Sequence, residues 1–280
     1  KTIPFDNNIR DLIRYTIENQ NKDAVSKCHR ELGINFLNIV KYYFNDKKFS
    51  LIAMHGQTIS HVNGIKTLQI GDPKYLFNYY KIPIIYDFRS KDIELGGNGA
   101  PLVPYLDWLL LRKTEIDTVT LNLGGIANLT YIPMNGNRLD VIGFDTGPGM
   151  SLIDEFVNKH WNIRFDVNGE IASKGVVDHK LLEILLNDHY INSDFPKSTS
   201  REVYGLSYID NILCDCPNIN KFNILRTLVL FTAESINMNV KLLLNKNDNF
   251  HLIISGGGVK NHLLIQDIKK IFNTSKVFTS

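Results

Sequence analysis

The chain has 280 residues, with 31 Lys+Arg against 29 Asp+Glu, 44% hydrophobic residues and three cysteines. That length is ample for a sizeable core and for two domains, and a formal net charge of +2 excludes broad electrostatic attraction to nucleic acid or to an anionic membrane. Interspersed charged and apolar residues exclude global disorder, and no apolar run approaches the roughly 20 residues that span a bilayer.

Cys28, Cys214 and Cys216 have no metal-ligand spacing, which fits free thiols in a reducing, cytoplasmic setting. The chain opens on Lys1 with no signal segment and closes on what reads as the start of a strand, so both ends are expected to be cut.

Apolar positions at helical spacing predict helices over residues 8–19 and 24–44, the second with Val25, Cys28, Leu32, Phe36, Ile39, Val40 and Tyr43 on one face. Short runs of β-branched and aromatic residues predict strands at 51–54, 67–70 and 82–88. A helix over about 101–112 has a proline near its first turn. The charged stretch Arg112, Lys113, Thr114 and Glu115 then marks a hinge.

Beyond the hinge, strands are predicted at 119–123, 126–132 and 139–144, the last two separated by the turn residues Asn135, Gly136 and Asn137. Helices follow at 151–160, 178–190 and 224–244. A fully apolar strand at 252–254 leads into Gly256, Gly257 and Gly258 and a helix over 261–271. Interleaved strands and helices predict an α/β architecture with buried sheets. A division near residue 115 gives a first lobe, 1–115, and a second, 116–280.

Most of the unusual residues sit where strands end, the place at which open α/β sheets gather ligands. His55, Gly56, Gln57 and Thr58 follow the strand at 51–54 and read either as donors to a sugar or phosphate oxygen or as a plain turn. Asp87, Phe88, Arg89 and Asp92 precede the glycine loop Gly96, Gly97, Asn98, Gly99. Glycines there let a backbone approach a ligand closely, while Arg89 reads either as a ligand contact or as a clamp on Asp87 or Asp92.

Asn122, Leu123, Gly124, Gly125, Ile126, Ala127 and Asn128 form a glycine hairpin whose amides suit a phosphate, or simply a turn. Asp145, Thr146, Gly147, Pro148 and Gly149 place a carboxylate at a strand end before a helix, suited to a general base, or else closing a turn through local N–H groups. Asp154 and Glu155 on that helix are expected to face solvent or cap neighbours. Ser255 and the three glycines, with Asn261 after them, suit a nucleotide; no Lys-Ser/Thr follows them, so this is not a Walker loop.

Thr199 and Glu202 have capping-box spacing, while Lys197 and Arg201 beside them are able to reach an anionic group. His55 and His61 lack the partners of a zinc site, and no serine-hydrolase elbow is present.

In order, these segments resemble the anhydro-N-acetylmuramic acid kinases of the sugar kinase/Hsp70/actin superfamily. Leu68, Gln69, Ile70, Gly71 and Asp72, Pro196, Lys197, Ser198 and Thr199, and Phe231, Thr232 and Ala233 belong to the same pattern. The resemblance implies a two-lobed actin/hexokinase-like (ribonuclease H-like) fold with a central cleft. It also implies ATP and Mg²⁺ as cofactors, an amino sugar as substrate, and a cytoplasmic homodimer without nucleic-acid or membrane partners.

The implied reaction phosphorylates O6 of 1,6-anhydro-N-acetylmuramic acid while water opens the anhydro bridge, in peptidoglycan recycling. Asp145 is then the catalytic base. His55, Gln57, Asp87, Arg89, Asp92, Gly97, Lys197 and Ser198 are implied around the sugar. Gly124, Gly125, Asn128, Gly147, Gly256, Gly257, Gly258 and Asn261 are implied around the nucleotide. The family's N-terminal Ser-Gly-Thr-Ser phosphate loop and its C-terminal segment have no counterpart in these 280 residues, which raises as an alternative a non-catalytic sugar- or nucleotide-binding remnant. A glycoside hydrolase pairing Asp145 with Asp92 is a further reading on residue types alone.

Overall fold

Asp6 and Asn21 each accept a hydrogen bond at 2.8 Å from an amide of the next turn, Ile9 N and Ala24 N. Such caps satisfy donors that a helix start leaves open, and in this computed structural model they begin α1 (Asn7–Asn19) and α2 (Lys22–Phe44). Residues 3–62, 64–201, 203–214, 218–244, 249–272 and 276–279 are described. They divide into two compact units, Lys1–Leu102 and Val103–Ser280.

In the first unit the helices are followed by β1 (Ile52–Ala53), β2 (Gln57–Val62), β3 (Lys66–Ile70), α3 (Lys74–Tyr80), β4 (Ile84–Ile85) and α4 (Phe88–Glu94). β1 pairs with β4 in parallel, and β2 with β3 as an antiparallel hairpin. Cys28 and Leu32 of α2 meet Ile59 and Ile70 of the hairpin in a small core, with Val25 and Phe36 packed against it as the helical spacing predicted.

Three details differ from expectation. His55 and Gly56 lead directly into strand β2, which Gln57 and Thr58 open, where no strand was predicted. The run at 82–88 yields only a two-residue strand. Phe88 instead opens α4, because Asp87 turns the chain with φ +56° and caps the helix through Ser90 N.

The second unit opens with α5 (Val103–Leu111), which the expected division at 115 placed in the first lobe. Its side chains tie it to the rest of this unit: Trp108 Nε1 donates to Gly136 O at 2.9 Å, and Asp107 accepts from the Thr120 hydroxyl. Then come β5 (Asp117–Leu123), β6 (Ile126–Ile132), β7 (Ile142–Pro148), α6 (Ser151–Trp161), α7 (His179–Leu186), α8 (Leu206–Cys214), α9 (Lys221–Leu244), β8 (Phe250–Ser255), α10 (His262–Phe272) and β9 (Val277–Thr279).

The five strands form one sheet in the order β7-β6-β5-β8-β9. β5, β6 and β7 run antiparallel in sequence, whereas β8 joins β5, and β9 joins β8, in parallel. Val119, Leu121, Leu129, Phe144 and Leu252 from the strands are buried with Phe156 of α6, Phe231 of α9 and Ile268 of α10 in the main core. Each such side chain contributes roughly 1.5–3 kcal/mol by leaving water. α9 is long and apolar enough to cross a membrane by length and composition, but 72% of its apolar window is buried inside the protein. It is the central core helix of this unit.

Candidate active site

Register across the sheet aligns four polar side chains. Parallel pairing puts Ser255 beside Asn122, and antiparallel pairing puts Asn122 opposite Asn128 and Asn128 opposite Asp145. Partners directly across strands project from the same face, so four strands contribute one polar row. β7 carries an extra residue within this row: Ala127 pairs with Gly147 and Asn128 with Asp145, leaving Thr146 as a bulge. Bulges re-aim side chains. Asp145 therefore lies inside β7 rather than at the end of a strand closing at 144, as the sequence reading had it.

The Asp145 carboxylate is 8% exposed and held from both sides. Asn128 Nδ2 donates to Oδ1, and Ser198 Oγ and Thr199 N donate to Oδ2 at 3.0 and 2.9 Å. These donors come from 17, 53 and 54 residues away in sequence, so this is no local turn closure. Burial pushes the Asp145 carboxyl above its ordinary range, while the Thr199 amide, Asn128 and Ser198 pull the other way. A carboxylate that keeps its hydrogen bonds in a largely dry site is suited to accept a proton.

The backbone on either side is braced as well. Thr232 Oγ1 and Asn239 Nδ2 of α9 donate to Gly149 O and Thr146 O, each at 3.1 Å. Several expected ligand contacts are consumed in this bracing. Asn128 bonds Asp145 and accepts from Asn122 Nδ2 at 3.3 Å, so its amide is engaged with the carboxylate.

Gly147 has φ +137°, and an added Cβ there would lie 2.5 Å from Ile191 Cδ1. Gly256 has φ +92°, with the corresponding clash at 2.6 Å against Asn122 Oδ1. Both are glycines that the backbone and its neighbours require, and neither lines the pocket described next.

Gly124, Gly125, Gly257, Gly258 and Asn261, five of the residues expected around a nucleotide, do line one pocket of about 580 Å³. The carbonyls of Gly124 and Gly125 accept the first amides of the α6 end, from Met150, Gly149 and Ser151. Asn261 is 3% exposed; its Oδ1 caps α10 through Leu264 N at 3.1 Å, and its Nδ2 is buried without a partner among the described residues.

Sequence reasoning missed much of the pocket wall: Met150, Asp154, Phe165, Asp166, Val167, Asn168, Lys260 and His262; Arg201, expected to reach an anionic group, lines it as well. Asp154 does not face open solvent as expected. Burial raises its pKa to about 6, with Arg201 opposing and Asp166 and Glu155 reinforcing the shift, and its Oδ1 has no donor among the described residues. Asp166 lines the same wall, but both its oxygens are occupied by the amides of Ile171 and Ala172. Arg201 lies so close to Gly125 that a Cβ there would fall 2.0 Å from its Nε.

Lys197, expected at an anionic group of the sugar, instead donates its ammonium protons to Tyr190 O, Ile191 O and Ser193 O, all at 2.9 Å. An ammonium has three donors, so none is left for a ligand in this arrangement. Ser198 is likewise engaged with Asp145. The capping reading of Thr199 and Glu202 involves Glu202, which lies outside the described residues, as does Cys216. Thr199 N serves Asp145, and the next helix starts only at Leu206.

In the first unit, Arg89 pairs with neither Asp87 nor Asp92. Its Nε donates to His55 Nε2 at 2.9 Å and its Nη1 to Gly99 O at 2.8 Å. Asp92 Oδ2 accepts from Gly99 N at 2.7 Å, and Gly97 is a glycine because a Cβ would strike that carboxylate. His55 and Asp87 line a pocket of about 250 Å³. Gln57 sits in β2, with its amide on Thr58 O.

The family model for anhydro-N-acetylmuramic acid kinase matches residues 1–280. The chain belongs to the anhydro-N-acetylmuramic acid kinase family. It is 37% identical to the enzyme of that name from Clostridioides difficile (strain 630), over 99% of this chain and 76% of the relative. It is also 37% identical to the one from Bacillus cereus (strain Q1), over 96% and 74%. The relative from Francisella tularensis subsp. novicida (strain U112) is 36% identical, over 98% and 75%. The kinase identity expected from the motifs is thus borne out, and relatives matched across nearly the whole chain favour it over a binding remnant.

Proposed function

We propose that this kinase transfers the γ-phosphoryl group of ATP to O6 of 1,6-anhydro-N-acetylmuramic acid while water opens the anhydro ring, with Asp145 as the base. The observation that carries the reading is the Asp145 carboxylate, buried, ionisable and held by three donors in the same unit as a glycine-walled pocket. In this scheme Asp145 takes a proton from water as the water oxygen bonds to the anomeric carbon. The bond from that carbon to O6 breaks, and O6 displaces ADP from the γ-phosphorus. The product is N-acetylmuramic acid 6-phosphate, and the setting is cytoplasmic recycling of cell-wall sugar.

The pocket of Gly124, Gly125, Gly257, Gly258 and Asn261 receives the nucleotide in this reading. Asn261 Nδ2 offers it an unused donor, and Phe165 and Val167 offer it apolar surface. Among the described residues, no cluster of three or more His, Cys, Asp or Glu stands ready for a metal. Magnesium needs no such cluster, since it binds through one or two carboxylates together with substrate phosphates. The orphaned Oδ1 of Asp154 is a fitting hard donor in the same pocket. It would hold Mg²⁺ there, where the ion screens phosphate charge.

The test is turnover in oxygen-18 water, with ATP, Mg²⁺ and the anhydro sugar. One heavy oxygen at the anomeric carbon, none in the phosphate, and one ADP per product are expected. Ring opening without ATP would mean a hydrolase, and binding of both substrates without any product would mean a remnant.

A further inference from the structure

Asp145 depends on a stretch of chain with no regular structure of its own. Between α7 and α8, residues 188–201 contribute Ser198 Oγ and Thr199 N to its carboxylate. The same stretch grips the Asp145 backbone, with Asp145 N donating to Lys197 O at 3.1 Å and Tyr190 OH donating to Asp145 O at 2.8 Å. Hydrogen bonds from an irregular segment are only as well placed as the segment itself.

Two groups inside the loop set its shape. The Lys197 ammonium draws the carbonyls of Tyr190, Ile191 and Ser193 around it. The Asp188 carboxylate accepts from Tyr190 N at 2.8 Å, Ile191 N at 3.2 Å, Tyr204 OH at 3.0 Å and Tyr208 OH at 3.1 Å. Phe195 stacks on Phe144, the residue before Asp145, at 5.1 Å between ring centroids. The loop is thus folded back on its own start, and Ser198 and Thr199 come immediately after the lysine that folds it.

We infer that Lys197 is a positioning residue for the base: its ammonium tethers the 190–193 turn so that Ser198, Thr199 and Tyr190 hold Asp145 in place. The inference rests on Asp145 being the base. It replaces the expected contact between Lys197 and the sugar with an internal one. Asp194 and Asp188 face the ammonium electrostatically, and the rings of Tyr190 and Phe144 lie beside it. Burial lowers the Lys197 pKa to about 8 against those two carboxylates, so the tether weakens as pH rises through that range.

The experiment is steady-state kinetics of Lys197→Met and Lys197→Arg across pH, with Asp145→Asn measured alongside. Lys197→Met is expected to lower kcat about a hundredfold, the typical effect of a misplacement near 1 Å. KM for both substrates should stay within about twofold, because uniform binding is not what is lost. The acidic limb of kcat should move to higher pH as Asp145 loses donors. Lys197→Arg keeps a charged multiple donor; it should recover about tenfold of the lost kcat and retain turnover at alkaline pH.

A rise in KM with kcat unchanged, or unaltered kinetics in both variants, would overturn the inference. If Lys197→Met does not fold, Tyr190→Phe decides: it deletes only the hydroxyl bonded to Asp145 O, and a kcat and pH profile equal to wild type would overturn the positioning role. Full turnover by Asp145→Asn defeats the base assignment itself. An inactive Asp145→Asn beside a wild-type-like Lys197→Met defeats only the tether.

Discussion

Two polar regions of the second unit differ in how completely their atoms are paired. Around Asp145, both carboxylate oxygens, the amide and the carbonyl of that residue all have partners within the chain. In the glycine-walled pocket, Asp154 Oδ1 and Asn261 Nδ2 are buried with none among the described residues. An unpaired buried polar atom costs about 1–3 kcal/mol, so the pocket wall carries a penalty that the Asp145 residue itself does not, although Asn239 Oδ1 in the bracing around it is also unpaired among the described residues. A fully paired carboxylate and a pocket with unpaired polar atoms thus occur in the same unit.

The sharpest way to break that contrast is to remove charge from the paired side. Asp145→Asn should lower kcat by about a thousandfold, within the range attributed to a positioned base, as measured by ADP release at saturating substrates. Next in size is Asp154→Asn, expected to weaken Mg-nucleotide binding about tenfold in calorimetry while leaving the sugar KM alone. Its pH dependence has a definite sign. Asp154 ionises above about 6, so wild-type affinity for Mg-nucleotide should fall as pH drops through that value, and the Asn variant should show no such fall.

Ser198→Ala removes one of three donors that favour the ionised Asp145. Losing that bond should move the acidic limb of kcat to higher pH, since the ionised carboxylate loses a donor. The smallest functional effect belongs to Gly147→Ala, which strains φ +137° and presses Ile191. It should destabilise by about 2 kcal/mol in chemical denaturation, with kcat/KM little altered in the fraction that remains folded.

Elements were legible where apolar periodicity is clear, as in the alternating burial of β6. The strand over 126–132 is found at the predicted bounds, and the helix at 151–160 gains only Trp161. Motif residues misled where they also belong to regular structure. Gln57 and Thr58 read as a loop yet open β2, and Gly147 and Pro148 read as a turn yet continue β7 past a bulge.

Helical spacing showed where α6 lies but not that Asp154, beside the buried Ile153, faces the pocket. That wall is completed by Phe165, Asp166 and Arg201 from distant irregular chain, which no local period reveals. Lys197 shows the same limit: a lysine in a ligand-like motif reads as a ligand contact until the three carbonyls around it are seen.

The most direct test is to compare Asp145→Asn with wild type in two measurements on the same preparation: calorimetric binding of Mg-nucleotide and of anhydro sugar, and turnover at saturation. Both affinities should stay within about threefold while turnover falls about a thousandfold, since only the proton acceptor is lost. Turnover within tenfold of wild type, with binding intact, would contradict Asp145 as the base.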